Sequence, residues 1–200
     1  MMDYGIFVEG LDIIEDIEGL DPNIMQAAYR AINASADRGR TDSDDLIRRQ
    51  VNFPKSYLNP SQGRLTVSKR ASAASLEAVI TGRRRATSLA RFLTKGEPGK
   101  KGVSVSVKPG RNVDLPNAFL MKLRSGSGNI DTVKNLGLAV RTKRGTRPDK
   151  AYKPVRVADG LWLLYGPSVD QVFKTVRQDV TPEVERTLEA EFTRLLEVKL

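Results

Sequence analysis

The chain has 200 residues, of which 40% are hydrophobic, and a formal net charge of +9. This length predicts a single domain spanning 1–200. Because the sequence contains no Cys and no His, it excludes disulfides, thiolate nucleophiles and Cys- or His-ligated metal sites. The apolar runs are shorter than the roughly 20 residues that cross a bilayer, and the acidic N-terminus does not resemble a signal peptide. We therefore expect no membrane contact and a cytoplasmic site of synthesis and assembly.

The charge is unevenly distributed along the chain. Residues 1–37 carry a net charge of −7, residues 38–158 carry +19, and residues 159–200 carry −3. A strongly basic middle indicates an acidic partner, which can be nucleic-acid phosphate or the carboxylates of another protein. The charge alone leaves that choice open.

The first predicted elements are helices within residues 20–53. Asp21 can cap free backbone N–H groups, and Pro22 suits the first turn of a helix. We expect Gly39 to end or bend this helix, and a second, short helix to begin at Thr41 or Ser43 and stop before Pro54. The expected inward-facing side chains are Ile24, Ala28, Ala31, Ile32, Ile47 and Val51.

Residues 64–145 are predicted to be rich in strands. Period-two alternation at 64–68 predicts one strand, with a partner at 79–81. Alternating Val and Ser at 103–107, closed by a turn at Pro109-Gly110, predicts another. Further strands are expected at 118–123 and 136–141, separated by a loop at 125–129. Together these strands predict one small antiparallel sheet in the middle of the chain.

The C-terminal region, 168–198, is predicted to be helical. Ser168 can cap one apolar helical face, and Thr181 followed by Pro182 indicates the start of an amphipathic C-terminal helix. The order of helices, sheet and helix, without alternating strands and crossover helices, predicts an α+β fold.

Three clusters of basic residues are candidate phosphate- or partner-facing surfaces. Two of them are the triplet Arg83, Arg84 and Arg85 and the group Arg141, Lys143, Arg144 and Arg147; the third is Lys100 with Lys101. The clusters are not interleaved in sequence with aromatic residues that would stack on bases. A surface facing another subunit is therefore favoured over a dedicated nucleic-acid site, which stays open as the alternative.

Catalytic features are weak in this sequence. The similarity to a carboxylate-and-lysine nuclease site for a divalent cation is superficial, and it involves Asp149 and the distant Glu197 and Lys199. The acids at 42, 44 and 45 are better explained as capping and dipole-facing residues of a helix. The glycines form no phosphate-cradling motif, and Trp162 is expected to be buried. We therefore predict no catalytic residue, no metal site and no cofactor.

Three segments follow one another in a distinctive order: a strand start at 114–119 that contains Leu115 and Pro116, a strand and basic turn at 136–145, and a turn at 164–169 that contains Gly166, Pro167 and Ser168. Through these segments, residues 115–173 resemble the minor tail protein Z family, the tail-completion proteins of long-tailed bacteriophages. Residues 40–100 resemble the family only in the general character of the sequence and contain none of these three segments.

The resemblance implies a structural virion protein in the neck of the tail, at the end nearest the head. It implies a homo-oligomeric ring, hexameric in such families, that contacts the tail terminator or tail tube and the head–tail connector proteins, with DNA passing close by. We further expect the acidic helices of one subunit to lie against the basic sheet of its neighbour. The alternative function is a basic nucleic-acid-binding protein.

Overall fold

Helices and antiparallel strands occupy separate stretches of the chain, so the fold is α+β. The computed structural model describes residues 21–97, 100–123, 135–149 and 152–198. The predicted loop at 125–129 lies outside those residues. Over the described ranges the chain forms two α-helices and eight strands: α1 (Pro22–Gln50), β1 (Leu65–Lys69), β2 (Val79–Gly82), β3 (Leu93–Lys95), β4 (Lys101–Lys108), β5 (Arg111–Lys122), β6 (Leu136–Arg141), β7 (Val155–Ala158), β8 (Leu161–Leu163) and α2 (Val169–Glu197).

The chain divides into two compact units. The first unit comprises residues 1–47, 56–83 and 173–200, and the second comprises 48–55 and 84–172. The first contains most of both helices and the hairpin β1–β2, whereas the second contains the other six strands. The single domain expected over 1–200 stays a prediction.

Helix α1 begins where the sequence predicts, with the Asp21 carboxylate accepting a hydrogen bond from the Asn23 backbone N–H at 2.7 Å. The prediction of a break at Gly39 and a second helix was wrong, because α1 continues to Gln50. Gly39 is buried within it, and the Ser43 hydroxyl donates to the Gly39 carbonyl at 2.6 Å. Packing of this small-residue face outweighs the cost of roughly 1 kcal/mol that glycine imposes in a helix.

The apolar side of α1 is largely the predicted one. Ala28, Ala31, Ile32, Ile47 and Val51 are buried, whereas Ile24 is 37% exposed and does not belong to the core. Ile32 packs with Ala36, Ala71 and Ala78 in the first unit, and Leu188 of α2 covers this cluster.

The first unit also contains the predicted antiparallel hairpin. Strand β1 pairs with β2, with Val67 opposite Ile80 and Leu65 opposite Gly82. The Asn33 side chain on α1 bonds to both the N–H and the carbonyl of Ala71, each at 2.9 Å. This pair of hydrogen bonds between a helix side chain and the backbone just beyond β1 fixes the hairpin against α1.

The second unit is built on a six-stranded antiparallel sheet with the order β3-β4-β5-β6-β8-β7. The sheet is therefore larger than the small one predicted, and it is separate from β1–β2. Strand β4 lies where the period-two pattern predicts it, β6 has the predicted bounds, and β5 is longer than expected. Strands β3, β7 and β8 were not predicted from the sequence, and they have only three or four residues each. Val103, Val105 and Leu138 form part of the buried face.

Helix α2 starts at the predicted cap, since the Ser168 hydroxyl accepts a hydrogen bond from the Gln171 N–H at 3.1 Å. The prediction that Thr181 caps a new helix was wrong. The helix runs unbroken from Val169 to Glu197 with Pro182 inside it. Val180 and Val184 are buried on either side of the proline, so packing keeps the helix continuous although Pro182 cannot donate to the carbonyl one turn earlier.

Replacing Pro182 by Ala is expected to raise the free energy of unfolding by about 1–3 kcal/mol, because it restores a backbone hydrogen bond and removes a ring clash. Urea denaturation monitored by circular dichroism measures the change. Glu189→Ala, at another exposed position of α2, is the control and should stay within about 0.5 kcal/mol. A lower midpoint for Pro182→Ala would contradict an unbroken α2.

Candidate interaction surface

Four of the predicted basic residues lie at one end of the six-stranded sheet. Arg141 is the last residue of β6, and Lys143, Arg144 and Arg147 follow it in an exposed turn. Arg156 of β7 joins them through a shared carboxylate, described below. We call these five side chains, Arg141, Lys143, Arg144, Arg147 and Arg156, the basic platform.

The platform rests on two turns that are hydrogen-bonded to each other. The Thr142 N–H donates to the carbonyl of Gly160, in the turn between β7 and β8, at 2.9 Å. The Thr142 hydroxyl donates to the Thr146 carbonyl at 2.7 Å and accepts from the Trp162 indole N–H at 3.1 Å. Thr142 is therefore the residue that joins the turn after β6 to the β7–β8 hairpin.

Gly160 is required for this close approach. Its φ is +65°, a left-handed conformation, and a Cβ at this position would lie 2.7 Å from the Thr142 carbonyl oxygen. A side chain would therefore suffer both backbone strain and a clash with main-chain atoms.

The platform has a strong excess of positive charge. Asp159 is bonded to two of its arginines, to Arg144 at 2.9 Å and to Arg156 at 2.7 Å. The side chains of both arginines are well exposed, at 91% for Arg144 and 60% for Arg156, so these bonds orient the guanidinium groups and add little stability. Asp159 therefore offsets part of the positive charge of Arg144 and Arg156.

Two aromatic rings support the platform. The guanidinium carbon of Arg147 lies 6.0 Å from the centre of the Trp162 ring, and that of Arg141 lies 5.9 Å from the Phe119 ring. Trp162 was expected to be buried, but it is only half-buried and belongs to this surface. The fold thus brings aromatic rings to basic residues that are separated from them in the sequence.

The arginine triplet is divided between the two units. Arg83 lies in the first unit, where its guanidinium donates to the Tyr57 hydroxyl at 3.1 Å, and Arg84 and Arg85 belong to the second. Arg84 and Arg85 are exposed. The triplet therefore does not form a single cluster on one unit, unlike the platform.

The segments that resemble the tail-completion family form structural turns and bulges. Leu115 lies opposite Val103, and the next pair along is Phe119 with Lys101, so β5 has extra residues at Pro116. A bulge of this kind is where a proline fits into a strand. The Gly166 N–H donates to the Thr87 carbonyl at 2.8 Å, and Pro167 then leads to the cap at Ser168.

The candidate catalytic residues are dispersed. Asp42 accepts a hydrogen bond from Arg38 at 2.9 Å on α1, and Glu197 is the last residue of α2. Lys199 lies outside the described residues. Across the four described ranges, no group of three or more acidic side chains is arranged to hold a metal ion.

Local ion pairs raise three arginine pKa values. Hydrogen bonds to Asp42, Asp37 and Glu191 raise the pKa values of Arg38, Arg70 and Arg194, respectively. These guanidinium groups are already charged at physiological pH, so the shifts create no pH switch. All three arginines lie outside the platform.

Comparison with protein-family models, with curated proteins and with solved structures finds no match to the chain. Neither of the helices in the described part of the chain is long and apolar enough to cross a membrane. The fold and the surface together define an α+β protein whose six-stranded sheet ends in an exposed, preorganised basic platform.

Gly160→Ala is expected to lower the free energy of unfolding by more than Gly145→Ala. Gly145 has a φ of +79° but open space around it, so alanine there incurs only the conformational cost of roughly 1 kcal/mol, whereas alanine at 160 also displaces Thr142. Thermal unfolding of both variants, with Trp162 fluorescence as a local probe, measures the difference. Equal destabilisation would mean that the two turns are not held by the Thr142–Gly160 contact.

Proposed function

We propose that the chain is a structural subunit in the neck of a tailed bacteriophage, a tail-completion protein at the head-proximal end of the tail. In this function it assembles into a ring and makes the tail competent to join the head. Its partners are other copies of itself, the tail terminator or tail tube protein, and the head–tail connector proteins. It is located in the virion after assembly in the host cytoplasm. No reaction is part of the proposal.

The observation that supports self-assembly is the segregation of charge between the two units. The described part of the second unit carries 18 basic and five acidic side chains, a net +13, whereas the described part of the first carries 11 basic and 12 acidic, a net −1. Residues 1–20 add six further acids and no base. A repeated contact between unlike surfaces of neighbouring copies closes into a ring when its rotation permits.

The neck location rests on the sequence resemblance. The three resembling segments fall on the bulge in β5, on β6 with the platform turn, and on the turn before α2. They thus include three of the five platform residues, Arg141, Lys143 and Arg144. The identity of the neighbouring genes provides a direct check, since genes for a tail tube, a terminator and a tape-measure protein are expected beside this one.

Self-association is expected to weaken strongly with salt. Exposed charge pairs act over about 8 Å at physiological ionic strength and about 3 Å at 1 M, so a charge-paired ring should dissociate between these conditions. Analytical ultracentrifugation at 0.15 M and 1 M NaCl measures the change, and equiosmolar sucrose serves as the control for osmotic effects. A monomer at every concentration in 0.15 M salt would contradict the assembly function, and a salt-independent oligomer would contradict charge pairing.

The alternative, a basic nucleic-acid-binding protein, is favoured by one observation, which is that Arg147 lies over Trp162 in the platform. Binding to random duplex DNA with a steep salt dependence would support it. Lys143→Ala should then reduce the slope of log affinity against log salt by about 1, because one phosphate contact is lost. Absence of binding at 50 mM salt would remove this alternative.

A further inference from the structure

Among the strands of the described residues, β7 is an edge of the six-stranded sheet. It pairs with β8 on one side and is the last strand in the sheet order. All four of its residues are exposed, including Val155 at 45% and Val157 at 52%. An edge strand presents unpaired N–H and carbonyl groups that can pair with another extended segment. Strand β7 therefore offers both backbone hydrogen bonds and apolar contacts.

The basic platform lies at the end where β7 finishes. The turn that follows β7 contains Asp159 and Gly160, and both contact the turn after β6. Arg156 belongs to β7 itself and to the platform. A segment that complements this whole edge must therefore have an extended apolar part followed by, or preceded by, a run of carboxylates.

Residues 1–20 have this composition. Their first half contains Tyr4, Ile6 and Val8 at alternate positions, and Asp12, Glu15, Asp16 and Glu18 follow. They contain six acidic side chains in all and neither Lys nor Arg. Alternating β-branched and aromatic residues favour pairing with a strand.

The acidic half of α2 fits this edge less well. Its two arginines are paired within the helix, Arg186 to Glu183 at 2.7 Å and Arg194 to Glu191 at 2.6 Å, so part of its negative charge is already offset. Leu188 from this half packs on the core of the first unit. It has no extended backbone to offer to β7.

We propose that residues 1–20 of a second copy pair along β7, with the apolar stretch 4–8 against Val155 and Val157 and the acidic stretch 12–18 over the basic platform. Because the platform follows β7 in space, the segment runs parallel to β7. This inference rests on the proposed self-assembly and identifies the contact between neighbouring subunits. Phosphate would satisfy the arginines, but it would leave the exposed valines and the open backbone edge unused.

A synthetic peptide of residues 1–20, in excess, is expected to disperse the oligomer of the full chain, measured by analytical ultracentrifugation at 0.15 M NaCl. A scrambled peptide of the same composition is the control for charge alone and should have a much weaker effect. Equal potency of the scrambled peptide would overturn strand pairing. If neither peptide acts while 1 M salt still dissociates the oligomer, the inference fails and the proposed assembly stands.

Substitutions on the edge test the surface itself. Arg156→Glu places a like charge against the acidic segment, and Val157→Asp removes an apolar contact. Each should therefore weaken self-association by about tenfold or more. The matched controls are Lys108→Glu, an exposed charge reversal at the end of β4, and Val198→Asp, near the end of α2. If the control variants weaken association as much as the edge variants, β7 is not the contact.

Disulfide trapping determines which copy supplies the segment. Because the sequence contains no Cys, the introduced cysteines cannot form disulfides with native ones. Full chains carrying Val8→Cys and Val157→Cys are mixed and oxidised; we expect a cross-linked pair containing one of each, identified by mass spectrometry. Val8→Cys mixed with Val198→Cys should give no such pair. A chain carrying both Val8→Cys and Val157→Cys that closes only an internal disulfide would overturn pairing between copies. Duplex DNA binding that is lost in Arg156→Glu, without cross-linking between the mixed chains, would assign the surface to nucleic acid instead.

Discussion

The hydrogen bond from Thr142 to the Gly160 carbonyl is the contact on which the candidate surface depends. It joins the turn after β6 to the turn of the β7–β8 hairpin. The Thr142 hydroxyl extends the connection to Trp162 and Thr146, so one residue fixes an indole and two turns. The side chains of the platform arginines are long and flexible. The hydrogen-bonded turns fix the backbone positions from which these side chains extend. Without this contact, the turn that carries Lys143, Arg144 and Arg147 would lose its backbone hydrogen bond to the β7–β8 turn.

Sequence patterns predicted the regular strands well and the long helices poorly. Val103 and Val105 alternate with serines, and that period gives the strand directly. Local propensity predicts that Gly39 ends or bends the first helix and that Pro182 lies in the first turn of a new one. Burial of the neighbouring side chains overrides this propensity in both helices. The cost of either residue is only a few kcal/mol at most, which a well-packed helix face can offset.

Four of the five platform residues could be predicted from sequence. The run from Arg141 to Arg147 is visible as a basic cluster, whereas Arg156 and Trp162 join it only through the pairing of β8 between β6 and β7. The signal that could have located them is Asp159-Gly160, a dipeptide typical of two-residue hairpin turns, lying between two short apolar segments. Pairing with β6, by contrast, joins strands that are not adjacent in the chain, and single-sequence patterns carry little information about such contacts.

The register of β7 has a consequence for the free subunit. Its pairing with β8 is irregular between Arg156 and Ala158, and its middle carries a cation. When two such edges approach each other, their arginines repel, which is a recognised protection against indiscriminate sheet growth. A neutral, regular edge with two exposed valines would tend to form fibres at the concentrations reached during synthesis. The positive charge on β7 therefore opposes pairing between two identical edges.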